Sequence, residues 1–149
     1  MIGYRYLIDN NALSKLTRQQ RASDFFLQSC LVPTEVLHEA RGYPDADQLS
    51  AVEYRTTGRI LGILGEVMAT VPSDDTTLVD LYANRGNADP LLVACALDGN
   101  RDAEDGLFGW TWVIVSNDKA VRAKAAAFDI EVRTSDEFAS VLEGEGLGG

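Results

Sequence analysis

The chain has 149 residues, 46% of them hydrophobic, which predicts one domain with a sizeable core. Nothing in it approaches the roughly 18 consecutive apolar residues of a membrane span, and there is no basic start followed by an apolar signal segment. The net charge of −10, from 23 acids against 13 basic residues, is the reverse of the basic face of a general nucleic-acid binder. It remains compatible with an enzyme whose acids hold cations, or with docking of a basic partner segment. A cytoplasmic protein is expected, with Cys30 and Cys95, each inside an apolar run, serving as reduced core residues.

In chain order, residues 4–11 read YRYLIDNN, a short apolar β-prone run that stops at Asp9. A run of this kind is how a buried parallel strand delivers an acid to the rim of a sheet. Residues 12–20 predict a short helix with a basic flank at Lys15 and Arg18, and Phe25, Phe26 and Leu27 a core-facing helical segment. Residues 30–33 form a second strand ended by Pro33. Thr34 then caps a helix over 35–41 that stops at Gly42, Tyr43 and Pro44. From Asp45 to about Gly65 apolar residues recur at helical spacing, and Gly58 and Gly62, four apart, imply close approach of a helix of this chain or of a second copy. Residues 67–71 read as a third strand, 74–83 as a helix and 84–87 as a turn. Asp89-Pro90 opens a helix over 91–97, and 99–109 is polar, acidic and loop-like. Residues 112–115 predict a fourth strand, 119–128 an Ala-rich helix and 130–132 a fifth strand. Ser135 caps a last helix through Leu142. The domain is placed at residues 1–143, with a disordered tail over 144–149. Five short strands alternating with helices predict an α/β fold, a parallel sheet with helices on both faces.

The acids fall at telling positions. Asp9 ends the first strand, Glu39 follows the second on a short helix, Asp89 starts a helix, and Asp118 ends the fourth strand. Strand C-termini of a parallel sheet share one edge, where sites form in open α/β sheets. At ~5 Å and an effective dielectric near 20, each like-charged pair repels by roughly 3 kcal/mol. Such a cluster therefore either takes up protons or binds cations. Hard divalent ions prefer oxygen ligands, and a pair of them can activate water and stabilise both oxygens of a phosphodiester displacement. Metal-assisted nuclease chemistry at Asp9, Glu39, Asp89 and Asp118 is the expectation.

Each acid also has a plain structural role open to it: Asp9, Asp89 and Asp118 as helix caps, Glu39 as a solvated helix residue. Asn11, Ser116 and Asn117 are supporting candidates that orient an acid or touch metal-bound water, with turn chemistry as the alternative. Lys15, Arg18, Arg85, Lys119 and Arg122 are candidates to meet RNA phosphate, with simple solvation as the alternative. The single histidine, His38, reads as structural or exposed, and no GxSxG, Walker, GxGxxG or zinc pattern is present.

The ordered pieces YLIDNNALSKL, VPTEVLHEA, NADPLLVACAL and VIVSNDKAVRAKAAAFDIEV, spread over residues 4–142, resemble the PIN-domain family, and most closely its VapC-type toxin ribonucleases. Asn10 and Ala40 depart from the residues common in that family. The resemblance implies a three-layer fold with strand order 3-2-1-4-5. It maps Asp9, Glu39 (rather than Glu35), Asp89 and Asp118 onto a metal-binding catalytic set, and Asn11 and Ser116 onto polar positions beside it. It further implies an endoribonuclease dependent on Mg²⁺ or Mn²⁺, a homodimer, and an antitoxin whose tail blocks the site. Two alternatives stand beside this expectation. One is a catalytically inactive PIN-like interaction module. The other is a phospho-acceptor receiver domain, which lacks here the paired acids after strand one and the late lysine it normally needs.

Overall fold

The computed structural model describes residues 3–69, 88–105 and 110–144. Its centre is strand β1 (Gly3–Ile8), flanked by β2 (Cys30–Pro33) and β4 (Trp110–Val115), with β3 (Glu53–Tyr54) and β5 (Glu131–Arg133) at the edges. All neighbouring pairs are parallel and the order is β3-β2-β1-β4-β5, the expected topology. In the register of β1 with β4, Ile8 lies opposite Val115. The next residue, Asp9, donates its backbone N–H to Val115 at 3.2 Å. Both strands therefore end at one level, and the residues just beyond them share one stretch of rim.

Alternation along the central strands sorts the core into two. Tyr6, Ile8, Val113 and Val115 join Leu13, Phe26, Val36 and Phe138 on one face. That face is covered by helices α1 (Asn10–Lys15), α3 (Asp24–Ser29), α4 (Thr34–Glu39) and α9 (Ser135–Gly144). Leu7, Trp112 and Ile114 face the other way, toward Ile60, Ile63, Leu92, Cys95 and Val121. These belong to α6 (Gly58–Ala69), α7 (Ala88–Asp105) and α8 (Lys119–Ala127). A strand stretch covered on both faces is apolar at successive positions, which is why β1 ends in Tyr6, Leu7 and Ile8 and β4 in Trp112, Val113, Ile114 and Val115, with Arg5 and Thr111 nearer the strand starts. Both cysteines are buried and unpaired, as expected. No helix among the described residues is long and apolar enough to cross a membrane.

Several predicted elements are redrawn. The helix expected over 12–20 breaks at Leu16 and Thr17; Thr17 then starts α2 (Arg18–Arg21) with a reciprocal capping box to Gln20. The long helix expected over 45–65 is interrupted. After α5 (Ala46–Leu49) and one 3₁₀ turn (Ser50–Val52), the chain enters β3 and resumes as α6. Leu49 and Val52 on one side of the break, and Ile60 and Ile63 on the other, are all buried, so a helical period ran unbroken through a strand. Pairing with β2 decides the matter locally, Val32 opposite Glu53 and Pro33 opposite Tyr54. Thr34 does not cap α4. Its hydroxyl donates to Glu53 at 2.8 Å and accepts from the Thr56 N–H at 3.2 Å, clamping β3 onto β2.

The strand expected at 67–71 gives way to the end of α6 over 67–69, where Val67 is a buried helix residue. Residues 70–71, the helix expected at 74–83, the turn at 84–87 and most of the tail lie outside the described residues. Gly58 and Gly62 face open space, with nothing within 4 Å of a Cβ built at either, so no helix of this chain approaches them closely among the described residues. The expected loop at 99–109 is helical through Asp105. Gly99 is required there, because a Cβ would come within 2.6 Å of the Trp112 indole. Finally, Ser135 does not cap α9. Thr134 does, accepting from the Glu137 N–H at 3.2 Å while Glu137 accepts from the Thr134 N–H at 2.8 Å.

Candidate functional site

Among the described residues, three side chains build the rim beyond β1 and β4. Asp9 follows β1 in an extended conformation and caps α1, its Oδ1 accepting from the Ala12 N–H at 2.7 Å. Asp118 follows β4 and caps α8, its Oδ1 accepting from the N–H groups of Ala120 and Val121 at 2.8 and 3.1 Å. Between them stands the fully buried Ser116. Its hydroxyl donates to the Asp9 carboxylate and accepts from the Asp118 N–H at 3.1 Å. The capping roles are real, and they fix one oxygen of each carboxylate without excluding a cation on the others.

Asp9 is only 3% exposed, and burial pushes its carboxyl above the usual aspartate value of 3.8. The hydrogen bonds from Ser116 and Ala12 pull the other way, and the charge of Asp118 adds to the rise. A desolvated acid beside a second acid is a place where positive charge is favoured.

The other expected residues divide. Asp89 lies in the first turn of α7, with its side chain outside the described residues. Farther along that helix Asn100 accepts from the Trp112 N–H at 3.1 Å and Gly99 packs on the same indole, pinning that turn to β4. Glu39 is exposed at the end of α4, one turn after the buried Val36, and among the described residues it forms no metal-holding group of three with Asp9 and Asp118. Among the described residues no three Asp, Glu, His or Cys side chains form a group able to hold a metal ion, so the expected four-acid cluster is there a pair.

Asn117 is committed elsewhere. Its amide donates to the Ser135 hydroxyl at 2.9 Å and accepts from the Ser135 N–H at 2.9 Å, tying the end of β4 to the start of α9. Asn11 is exposed, and its backbone carbonyl accepts the Ser14 hydroxyl at 2.7 Å. Lys119 and Arg122 lie in the first turn after Asp118 and are exposed, as are Lys15 and Arg18, whereas Arg85 is outside the described residues. His38 is exposed.

A second polar assembly was not foreseen. Asp98 on α7 is 5% exposed, accepts the Tyr54 hydroxyl at 2.6 Å and is paired with Arg59. Burial, and then the bond to Asp98, push the Tyr54 phenol up. The Tyr54 ring meets Trp112 edge-on at 5.2 Å. The one sequence signal was Asp98 itself, an acid directly after the apolar run LLVACAL, where a buried charge demands a partner. The partner lies on a segment whose fold the helical period had misassigned.

Compared with known proteins, the chain matches no family model and no curated protein sequence.

Proposed function

We propose that this chain is a divalent-metal-dependent endoribonuclease of the PIN type, acting as the toxin of a toxin–antitoxin pair. One observation carries the reading: Asp9 and Asp118 follow neighbouring strand ends on either side of the buried Ser116, whose hydroxyl bonds the Asp9 carboxylate and the Asp118 backbone N–H, and the Asp9 carboxylate is held desolvated. The donors are hard oxygens, the class that Mg²⁺ and Mn²⁺ prefer. Asp9 and Asp118 would hold the ion, and Asp89 would be the third acid from the first turn of α7. An ion bound there supplies charge neutralisation and an activated water for phosphodiester hydrolysis. Ser116 keeps Asp9 oriented, and Lys119 and Arg122, just past Asp118, would receive RNA phosphate. A homodimer and an antitoxin with a basic tail belong to the same proposal, the acidic charge of the chain favouring such a tail.

Asp9→Asn keeps the oxygen that caps α1 and removes the charge. It is expected to fold and to lose RNA cleavage, by about 100-fold or more if the charge serves transition-state stabilisation. Cleavage by Asp9→Asn at the parental rate, in protein free of contaminating nuclease, overturns the assignment. A second reading, a catalytically inactive PIN-like interaction module, is favoured by the lack, among the described residues, of three acids grouped to hold a metal ion. Calorimetric titration separates the two, since the inactive module takes up neither Mg²⁺ nor Mn²⁺ at millimolar concentration.

A further inference from the structure

A recess of about 500 Å³ opens beside the edge strand β3, between β3 and the helices α6 and α7. This is within the range of small-molecule sites, roughly 300–1,000 Å³. Leu31, Ile60 and the Tyr54 ring give it an apolar wall. Its polar side is made of opposed charges. Glu53 and Arg55 flank Tyr54 in sequence, and Arg59 is anchored on the buried Asp98. The lining acids, Glu53 and Asp98, match the lining bases, Arg55 and Arg59, so the recess has no net charge to offer a simple anion or cation. It offers acceptors and donors side by side over an apolar surface. Glu53 uses Oε2 for Thr34, and among the described residues its Oε1 and the Arg55 guanidinium have no partner. Thr57 adds a hydroxyl at the mouth.

A neutral planar heterocycle with adjacent hydrogen-bond donors and acceptors satisfies all of these groups together. Its faces bury against Tyr54, Leu31 and Ile60. Its ring or amino N–H donates to Glu53, and its carbonyl or ring nitrogen accepts from Arg55. Acidic side chains accepting from an amino group, and arginines donating to a carbonyl and ring nitrogen, are how proteins read base edges. We infer that the recess between β3, α6 and α7 is a binding site for one nucleobase-like heterocycle, read by Glu53 and Arg55. The site does not depend on the acid pair at Asp9 and Asp118, and its occupancy is measurable without any cleavage.

The test is a titration of the full chain with adenosine, guanosine, cytidine and uridine in separate arms. A fifth arm uses a single-stranded oligoribonucleotide with Mg²⁺ absent, and a sixth inorganic phosphate. The Trp112 indole N–H signal in NMR, adjacent to Tyr54, reports binding. At least one nucleoside is expected to saturate that signal, and Arg55→Gln and Glu53→Gln each to weaken binding by about tenfold, as when one hydrogen-bonded base edge is removed. Arg55 is exposed, so its variant retains the fold, and Glu53→Gln keeps an acceptor for Thr34. Binding by the oligonucleotide but not by free nucleosides, still lost in the double variant, assigns the heterocycle to RNA and supports the site. Three results overturn it: no arm shifts Trp112, phosphate binds as tightly as the nucleosides, or affinity is unchanged in the double variant. Failure here leaves the nuclease proposal standing, because Glu53 and Arg55 take no part in it. Loss of cleavage in Asp9→Asn leaves nucleoside binding untouched.

Discussion

At the scale of single residues, Asp9 and Asp45 show opposite fates for a buried carboxylate. Asp45 accepts two hydrogen bonds from the Arg21 guanidinium, both at 2.9 Å, and Arg21 is held in turn by the Leu16 carbonyl and the face of Tyr43. The bond from Arg21 holds the Asp45 carboxyl below the usual 3.8. Its stabilising contribution is therefore present above that value and lost as pH falls through the lowered one. Asp9 has no cation beside it among the described residues, and its carboxyl is raised. The folded state then holds this proton more tightly than the unfolded chain. Stability falls as pH rises from 3.8 through the raised value. Asp9→Asn is accordingly expected to raise the melting temperature at pH 7, by about 2–4 °C for each kcal/mol relieved in a domain of this size. Mg²⁺ should raise the melting temperature of the parent and leave that of the variant unmoved, because a ligand stabilises only the state that binds it. Scanning calorimetry of both proteins with and without the ion checks this. A variant melting below the parent at neutral pH contradicts the desolvation account. Asp9 was legible in the sequence because one local feature, a carboxylate ending an apolar run, defines it. The clamp of Asn117 was not, because its partner Ser135 lies 18 residues on and meets it only through the fold.

At the scale of elements, the glycines of α6 and α7 look alike in sequence and behave differently. Gly62 is exposed with open space where a Cβ would stand, so Gly62→Ala is expected to stabilise the fold by about 0.5–1 kcal/mol through helix propensity alone. Gly99→Ala gains the same propensity and drives a methyl into the Trp112 indole, an overpacking cost of about 1–3 kcal/mol that wins. Urea denaturation of the two variants should move in opposite directions. Equal shifts would mean the indole yields freely. The expectation that Gly62 admits a second copy is tested by the same variant: a dimer packed on this face, where Leu61 is 55% exposed, would dissociate more readily in Gly62→Ala. The helical period over 45–65 failed as a guide for a definite reason. Two helical segments of matching phase flank a two-residue edge strand, too short to leave a period-two pattern of its own.

At the scale of the whole molecule, the net charge of −10 and a proposed RNA substrate pull against each other. The nuclease reading therefore requires a local basic rim. Replacing Lys15, Arg18, Lys119 and Arg122 with Gln should weaken RNA binding and flatten its salt dependence, by about 0.7 in log–log slope for each phosphate no longer neutralised. Binding of a single-stranded oligonucleotide across a salt series measures this, and an unchanged slope removes these residues from the interface.

The sequence by itself determined the sheet. Four of its five strands, their parallel sense and the placing of Asp9 and Asp118 just past strand ends are legible in short strand-prone runs, clearest where β1 and β4 finish in consecutive apolar residues. That signal is local, because a stretch buried on both faces of a sheet is apolar at successive positions. Tertiary structure alone decided the position of β3 and the helical course of residues 99–105. It alone decided the joining of Tyr54, Arg59 and Asp98 beside the recess. Each of these depends on partners distant in sequence: Pro33 for Tyr54, Trp112 for Gly99, and Asp98 for Arg59 across two helices. Periodicity reports which face of a segment is buried. What it is buried against, and which charges thereby become neighbours, is fixed only when the layers close.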